Sequence, residues 1–206
     1  MFRRTRPWLL IVPAALALGA LFLLGARGTG GKQMSGKSPF VAVQGAEEAF
    51  FAGGCFWGVE YWLEKTPGVL LVESGYMGGH VDSPTYEQVC SGRTGHAETV
   101  HVVFDPKKTT YDAVARLFFE IHDPTQVNRQ GPDVGDQYRS AVFYKTDAQK
   151  EIAEKLIGEL TKRGYKVATR LEPAGAFWRA EEYHQQYYDH KGTEPYCHAR
   201  VKRFGD

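Results

Sequence analysis

The chain has 206 residues, of which 43% are hydrophobic and 13% aromatic, and its formal net charge is +1; this size and composition suffice for one domain with a substantial core. Four arginines and no acidic residue lie in residues 1–31, so residues 32–206 are mildly acidic and nucleic acid is not an expected partner. Three cysteines are too few for a disulfide scaffold, and an odd number favours a thiol kept for chemistry.

Residues 1–31 are typical of a targeting segment. Several arginines precede an uncharged, mostly apolar run from Pro7 to Ala26. This pattern predicts a cleaved signal peptide or an uncleaved signal anchor. Because the positive charges precede the run, the domain is expected outside the cytoplasm, periplasmic or anchored to the inner membrane. A buried core helix is the alternative, but the run is apolar on all sides and is followed by glycine-rich sequence.

Cys55 follows the linker, which we assign to residues 32–46, and lies near the start of a domain that spans residues 47–206. The apolar residues 49–52 predict a strand, and residues 59–65 predict a helix that Pro67 ends. Cys55 is therefore expected where a strand ends and a helix begins. Backbone N–H groups and the helix dipole would favour its thiolate there, which predicts a nucleophile with a lowered pKa.

The remaining elements alternate between strand and helix patterns. The predicted strands are 69–76, 98–104, 140–144 and 167–171. The predicted helices are 110–122, a segment from Thr146 to Gly164, and 180–190. A long loop at 123–139 is typical of a functional segment, and residues 193–206 form a tail. The order predicts an α+β fold: a two-layer sandwich of a mixed β-sheet with helices, a ferredoxin-like core, long loops and a coil-rich tail.

Glu98 is the most informative carboxyl group. It shares one strand face with Val100 and Phe104, which are expected in the core. Burial should raise the pKa of such a carboxyl group, which makes Glu98 a candidate general acid. Tyr86 and Tyr138, in predicted loops, can donate hydrogen bonds to an oxygen. These groups suit a small substrate with a polar oxygen on an apolar stem.

Other cysteines and histidines have simpler interpretations. Cys90 precedes a turn and is expected to be a buried small side chain. His96 is expected to stabilise a turn, although it is also a candidate base. His184 and His190 lie in a tyrosine-rich segment and are expected to pack rather than to bind a ligand.

Three alternative functions agree less well with the sequence than catalysis by a reactive cysteine does. A zinc site is disfavoured because no Cys-x-x-Cys pair and no matching histidine spacing occur. The absence of Cys-x-x-Cys also disfavours a thiol–disulfide oxidoreductase. A membrane-anchored binding module that recognises methionine-like side chains through Phe56 and Trp57 would not require Cys55, Glu98 and a thiol in the tail together.

The sequence motifs, taken together and in order, resemble those of the A-type peptide methionine sulfoxide reductases. The matching segments are Gly-Cys-Phe-Trp-Gly at 54–58, 89–98, 122–126, 128–131, 133–135, 137–140 and 180–187. The resemblance covers roughly residues 47–192. It implies reduction of methionine S-sulfoxide, free or in peptides, to methionine, and hence repair of oxidised proteins.

The resemblance also implies the roles of individual residues. Cys55 matches the cysteine that attacks the sulfoxide sulfur, and Glu98 matches the acid that protonates the oxygen. In the family, the sulfoxide oxygen is held by residues that match Tyr86, Tyr138 and Asp133. The substrate methyl group is held by aromatic residues that match Phe56 and Trp57. A sulfenic acid on Cys55 is the expected product.

Cys197 lies in the tail, where many members of this family carry a second cysteine that resolves the sulfenic acid. The resemblance implies a redox-active Cys55–Cys197 disulfide that a thioredoxin-like protein reduces, with no metal or other cofactor. The sequence around Cys197, Glu-Pro-Tyr-Cys-His, departs from the Gly-Tyr-Cys-Gly pattern of the best-known members. A monomer is expected, with membrane contact only through the N-terminal segment.

Overall fold

Residues 44–205 are described by the computed structural model. The predicted targeting segment and nearly all of the predicted linker lie outside the described residues, as does Asp206. Across 44–205, no helix is both long enough and apolar enough to cross a membrane.

Strands and helices alternate along the described part of the chain. The strands are β1 (Glu47–Gly53), β2 (Val69–Met77), β3 (Ala97–Phe104), β4 (Arg129–Gln130), β5 (Asp133–Val134), β6 (Ser140–Tyr144), β7 (Arg170–Pro173) and β8 (Trp178–Arg179). The helices are α1 (Phe56–Glu64), α2 (Tyr86–Cys90), α3 (Tyr111–Ile121), α4 (Asp147–Lys162) and α5 (Tyr187–Lys191). Single 3₁₀ turns occur at Asp136–Tyr138 and Glu182–His184.

The strands form a mixed sheet in the order β7-β6-β1-β3-β2-β8, and β4 pairs with β5 in a separate hairpin. Strands β6 and β7 are parallel, whereas the other neighbours in the sheet are antiparallel. The central strands β6-β1-β3-β2, with α1 and α3 as crossovers, have the ferredoxin-like arrangement. The predicted α+β fold with a mixed sheet is therefore confirmed.

The main core lies between the sheet and the helices. Phe51 of β1 and Val100 of β3 are fully buried against Leu63 of α1, Phe118 of α3 and Leu156 of α4. Full burial of side chains of this size contributes on the order of 1.5–3 kcal/mol each. A second cluster covers the opposite face and consists of Phe50, Ala52, Met77, Ala97, Ala141 and Phe143. The predicted division of β3 into two faces is confirmed, and Glu98 lies on the face that contacts the helices.

Helix caps explain where two predicted helices begin. The Thr110 hydroxyl accepts a hydrogen bond from the Ala113 N–H at the start of α3. The Thr146 hydroxyl accepts one from the Gln149 N–H at the start of α4. Such caps satisfy N–H groups that have no partner within the helix. Both helices were predicted from their apolar spacing, and both are confirmed.

The predicted helix at 180–190 is wrong over its first half. Only Tyr187–Lys191 is α-helical, and Gln186 takes a left-handed conformation with φ of +49°. The Gln185 side chain accepts a hydrogen bond from Ser74 N–H and donates to Ser74 O, so it extends the edge of β2 instead. Tertiary hydrogen bonds therefore override the local helical pattern. Helix α2 and the β4–β5 hairpin were not predicted, and the predicted strand 167–171 begins later, at Arg170.

Candidate active site

Cys55 lies between the end of β1 at Gly53 and the first residue of α1, Phe56. It is the N-terminal capping residue of α1 and is 7% exposed. Gly54, with φ of +95°, makes the turn, and a Cβ atom there would lie 2.4 Å from Gln130 Cβ. A residue with a side chain is therefore excluded at this turn. The predicted position of the cysteine between a strand and a helix is confirmed.

Glu98 is placed beside the start of α1 by its own strand, β3. Its Oε2 atom accepts a hydrogen bond of 3.1 Å from the Phe56 N–H, and its side chain is 2% exposed. Burial raises the pKa of Glu98 to about 8, even though the Phe56 N–H acts in the opposite direction. Negative charge on Asp133 and Cys197 raises that pKa further. The predicted acid with a raised pKa therefore lies next to Cys55.

Tyr86, Tyr138 and Asp133 come from three different elements around this carboxyl group. Tyr86 begins α2, Tyr138 ends a 3₁₀ turn, and Asp133 begins β5. Burial raises the pKa of both tyrosines, and the charge of Glu98 raises each pKa further. The two hydroxyl groups and the Glu98 carboxyl group therefore share one electrostatic environment. Cys55 also raises the pKa of Tyr138. The two hydroxyl groups thus stay protonated and are able to donate hydrogen bonds.

Trp57 is held rigidly on two sides. Its Nε1–H donates to His184 Nδ1 at 3.0 Å, and its indole stacks on the Tyr187 ring at 3.6 Å with an interplanar angle of 3°. The buried Phe56 ring lies 5.0 Å from the His184 ring, centroid to centroid. The segment that was predicted as a continuous helix therefore builds one wall of the site.

Glu181 and Tyr76 are buried residues that the sequence reasoning did not single out. The Glu181 carboxylate accepts hydrogen bonds from Tyr76 OH and from Tyr86 N–H, each at 2.9 Å. Tyr76 is opposite Glu98 in the register of β2 and β3, so these two residues are neighbours on the same face. Glu181 thereby connects the start of α2 to the sheet. The sequence feature that could have indicated a role for Glu181 is its position within the 180–187 motif.

Cys197 returns to the site from the C-terminal tail. The thiols of Cys55 and Cys197 are joined by a hydrogen bond, and both cysteines are free thiols. Cys197 Sγ also lies 3.0 Å from His198 Nδ1. The structure therefore brings together Cys55, Glu98 and Cys197, which are distant in sequence.

The two thiols differ in their affinity for the proton that they share. The hydrogen bond to Cys197, burial and the charge of Glu98 raise the pKa of Cys55. The hydrogen bond from Cys55 and the contact with His198 lower the pKa of Cys197 to about 5. For this dithiol arrangement the lowered Cys55 pKa predicted from the helix start is wrong, because contacts with Cys197 and Glu98 outweigh the helix dipole.

Cys90 was expected to be buried, and this prediction is also wrong. It ends α2, is solvent-exposed, and its side chain is hydrogen-bonded to Tyr86. Helix α2 turns its last residue outward, and the sequence pattern did not reveal this short helix.

His96 has the predicted local role, since its ring contacts Gly79 N–H at 3.2 Å and Val81 O at 2.8 Å.

Metal ligation has no support within residues 44–205, where no group of three or more His, Cys, Asp or Glu side chains is arranged to hold an ion. The chemistry available at the site is that of a thiol beside a protonated carboxyl group, two hydroxyl donors and an aromatic wall. Such an arrangement can attack an electrophilic atom while it protonates an attached oxygen.

Comparison with known proteins gives a consistent result. The model of the peptide methionine sulfoxide reductase family matches residues 47–206. The peptide methionine sulfoxide reductase MsrA of Saccharolobus solfataricus is 48% identical over 163 residues, which cover 77% of this chain and 92% of that protein. The MsrA of Methanothermobacter thermautotrophicus is 52% identical over 146 residues, 69% of this chain and 86% of that protein.

Solved structures of relatives have the same fold. Reduced Mxr1 of Saccharomyces cerevisiae matches with a TM-score of 0.73 and 37% identity, over 82% of this chain and 99% of Mxr1. Mxr1 in complex with Trx2 matches with a TM-score of 0.55 and 27% identity, over 80% of this chain and 96% of that one. The chain belongs to the peptide methionine sulfoxide reductase family, whose activity is the thiol-dependent reduction of methionine sulfoxide to methionine.

Proposed function

We propose that Cys55 is the nucleophile and Glu98 the general acid of this reaction. The observation that carries the proposal is the hydrogen bond from Phe56 N–H to Glu98 Oε2, which holds a protonatable carboxyl group at the residue that follows Cys55. The proton shared by the two thiols passes to Cys197, and the Cys55 thiolate formed in this way attacks the sulfoxide sulfur while Glu98 donates a proton to the oxygen. The substrate leaves as methionine, and the oxygen remains on Cys55 as a sulfenic acid.

The surrounding side chains hold the two ends of the sulfoxide group. Tyr86 and Tyr138 donate hydrogen bonds to the oxygen, and Asp133 helps to hold it within the same polar pocket. The apolar wall of Phe56 and Trp57 receives the methyl group. The fixed indole and the raised pKa values of both tyrosines support these roles.

Cys197 resolves the sulfenic acid. Its sulfur attacks the sulfur of Cys55, the thiol proton passes to the leaving oxygen, which departs as water, and a Cys55–Cys197 disulfide forms. The contact between the two thiols and the lowered pKa of Cys197 support this role. A thioredoxin-like protein then reduces the disulfide, and the complex of the yeast relative Mxr1 with Trx2 supports such a donor.

Two cysteine variants test the assignment. Cys55→Ser should form no methionine from a methionine sulfoxide peptide while it keeps the wild-type fold. Cys197→Ser should form one equivalent of methionine without reductant and then accumulate a sulfenic acid that dimedone labels. Activity in Cys55→Ser would refute the nucleophile, and full turnover of Cys197→Ser with thioredoxin would refute the resolving role.

The site of action is a separate proposal. Residues 1–31 export the domain, which works in the periplasm or at the outer face of the inner membrane; the arginines before the apolar run support this orientation. Fractionation of cells that produce the full chain, with N-terminal sequencing of the mature protein, tests it. Recovery of the uncleaved chain in the cytoplasm would contradict it.

A further inference from the structure

His198 follows the resolving cysteine and is fixed beside it. Its side chain is 3% exposed, and its Nε2 atom lies 2.8 Å from Gly53 O, two residues before Cys55. The main-chain oxygen of His198 accepts a hydrogen bond of 3.3 Å from Trp62 Nε1. Its other ring nitrogen, Nδ1, lies 3.0 Å from Cys197 Sγ. The tail is therefore attached to both β1 and α1 through this residue.

The protonation of the ring follows from its partners. A carbonyl oxygen only accepts hydrogen bonds, so the Nε2 atom that contacts Gly53 O carries a proton. In the neutral ring the Nδ1 atom is then free of a proton and points its lone pair at Cys197 Sγ. His198 is thus in the tautomer that can accept the thiol proton.

The chain makes space for this ring at Gly58. A Cβ atom there would lie 2.2 Å from His198 Nδ1 and 2.7 Å from its Cγ atom. Only glycine at position 58 permits the ring to approach α1 so closely. The motif around Cys55 therefore also forms the seat for His198.

We infer that His198 is the general base for the resolving step, an inference that rests on the proposed roles of Cys55 and Cys197. In the first step Cys55 passes its proton to Cys197, so Cys197 enters the resolving step as a thiol. Nδ1 takes this proton as the Cys197 sulfur attacks the sulfur of the Cys55 sulfenic acid. The new S–S bond forms with the electron pair of Cys197, and the S–O bond breaks with its pair on oxygen. The leaving oxygen takes the proton from the imidazolium and departs as water.

Other groups near the thiol are less suited to this task. Glu98 gives up its proton in the first step, but its pKa is raised to about 8, so it takes up a proton again at neutral pH. His122 contacts Phe118 O through Nδ1 and Ser140 Oγ through Nε2, so both of its ring nitrogens already have partners. Asp133 is the strongest rival, because its carboxylate also hydrogen-bonds Cys197. A general base works best when its pKa is close to the operating pH, which favours an imidazole over a carboxylate.

The test compares two steps in one experiment. Fully reduced protein reacts with one equivalent of methionine sulfoxide peptide without reductant, and quenched samples are assayed for methionine and for the Cys55–Cys197 disulfide. His198→Gln retains an amide N–H for Gly53 O but lacks the base. We expect disulfide formation to fall at least about tenfold at pH 7, and by more than any change in methionine formation.

A pH series separates catalysis from displacement of the tail. Once Cys55 is a sulfenic acid, its thiol no longer lowers the pKa of Cys197. Without a base, the rate then follows the fraction of Cys197 present as thiolate, so the deficit of His198→Gln should shrink as pH rises. A displaced thiol would be slow by the same factor at every pH. Other groups that face the two thiols and His198 are present equally in both proteins: Glu98, His122, Asp133, Tyr188 and Tyr196.

Trp62→Phe is the matched control, because it removes the hydrogen bond to the His198 main chain but leaves the ring in place. It should form the disulfide at nearly the wild-type rate. The assignment would be overturned by disulfide formation at the wild-type rate in His198→Gln, or by a deficit in that rate that does not change with pH. It would also be overturned if Asp133→Asn slowed disulfide formation, relative to methionine formation, more than His198→Gln does. Failure of the wild-type protein to form methionine, or of Cys197→Ser to accumulate a sulfenic acid, would instead refute the proposed function.

Discussion

Replacing Glu98 with Gln is the most direct test of the acid. The amide keeps the shape of the side chain and an acceptor for the Phe56 N–H, which lies 3.1 Å from Glu98 Oε2 in the wild-type protein. It has no proton to transfer to the sulfoxide oxygen. Loss of a positioned general acid typically costs 10²–10⁴-fold in rate, so methionine formation should fall by about this factor at pH 7.

The pKa of Glu98 determines the pH at which the wild-type reaction loses its acid. With a pKa of about 8, about nine-tenths of the carboxyl group is protonated at pH 7. A carboxyl group with the ordinary value of 4.5 would be protonated to only about 0.3%. Burial therefore increases the amount of acid about 300-fold at pH 7. The protonated fraction should drop about tenfold between pH 7 and pH 9.

The assay is methionine formed in a single turnover, measured by rapid quench between pH 6 and pH 9.5. Iodoacetamide labelling of the Cys55 peptide at each pH supplies the thiolate fraction by which each rate is divided. The corrected wild-type rate should fall above pH 8, and the corrected Glu98→Gln rate should be low and independent of pH. Equal corrected rates in the two proteins, or a wild-type rate with no decline above pH 8, would refute the general-acid role.

Two further predictions concern buried groups behind the site. His184→Phe removes the acceptor of the Trp57 Nε1–H, so kcat/KM for a sulfoxide peptide should fall about 2–10-fold, mainly through an increase in KM. The control is His190→Phe, at an exposed position. Equal effects of the two substitutions on kcat/KM would contradict the role of the hydrogen bond. Glu60 is 1% exposed and burial raises its pKa to about 9, so its stability penalty appears as pH rises above 4.5. Urea titrations should therefore show Glu60→Gln gaining up to about 3 kcal/mol over wild type at pH 7 and little at pH 4.5, and a gain independent of pH would contradict the raised pKa.

Patterns of short range explain what the sequence predicted correctly. Alternation along 98–104 assigned the two faces of β3 and placed Glu98 toward the core, because neighbouring side chains in a strand point to opposite faces. Apolar spacing located α3 and α4, whose first turns are capped by Thr110 and Thr146, because both spacing and capping depend on residues within a few turns. The glycines before Cys55 indicated the turn between β1 and α1.

Contacts between distant segments explain what the sequence could not predict. Gln185 and Gln186 bind Ser74 and Glu60, which are more than 100 residues away, and these bonds replace helical ones in the predicted helix 180–190. The pKa of Cys55 is raised by Cys197, from the opposite end of the domain. Neither effect leaves a local pattern, because each depends on which segments meet after folding.

The pKa shifts around Cys55 match the order of the two chemical steps. Sulfoxide reduction needs a proton donor, and Glu98, whose pKa is raised to about 8, is such a donor on β3. Resolution needs a second sulfur nucleophile, and Cys197, whose pKa is lowered to about 5 in the reduced protein, supplies it from the tail. Both shifts have a structural cause: burial under α1 for the acid, and the contacts with Cys55 and His198 for the thiol. Because the acid and the resolving thiol belong to different segments, and burial is the largest cause of the raised pKa of Glu98, a change in the tail should alter the second step more than the first.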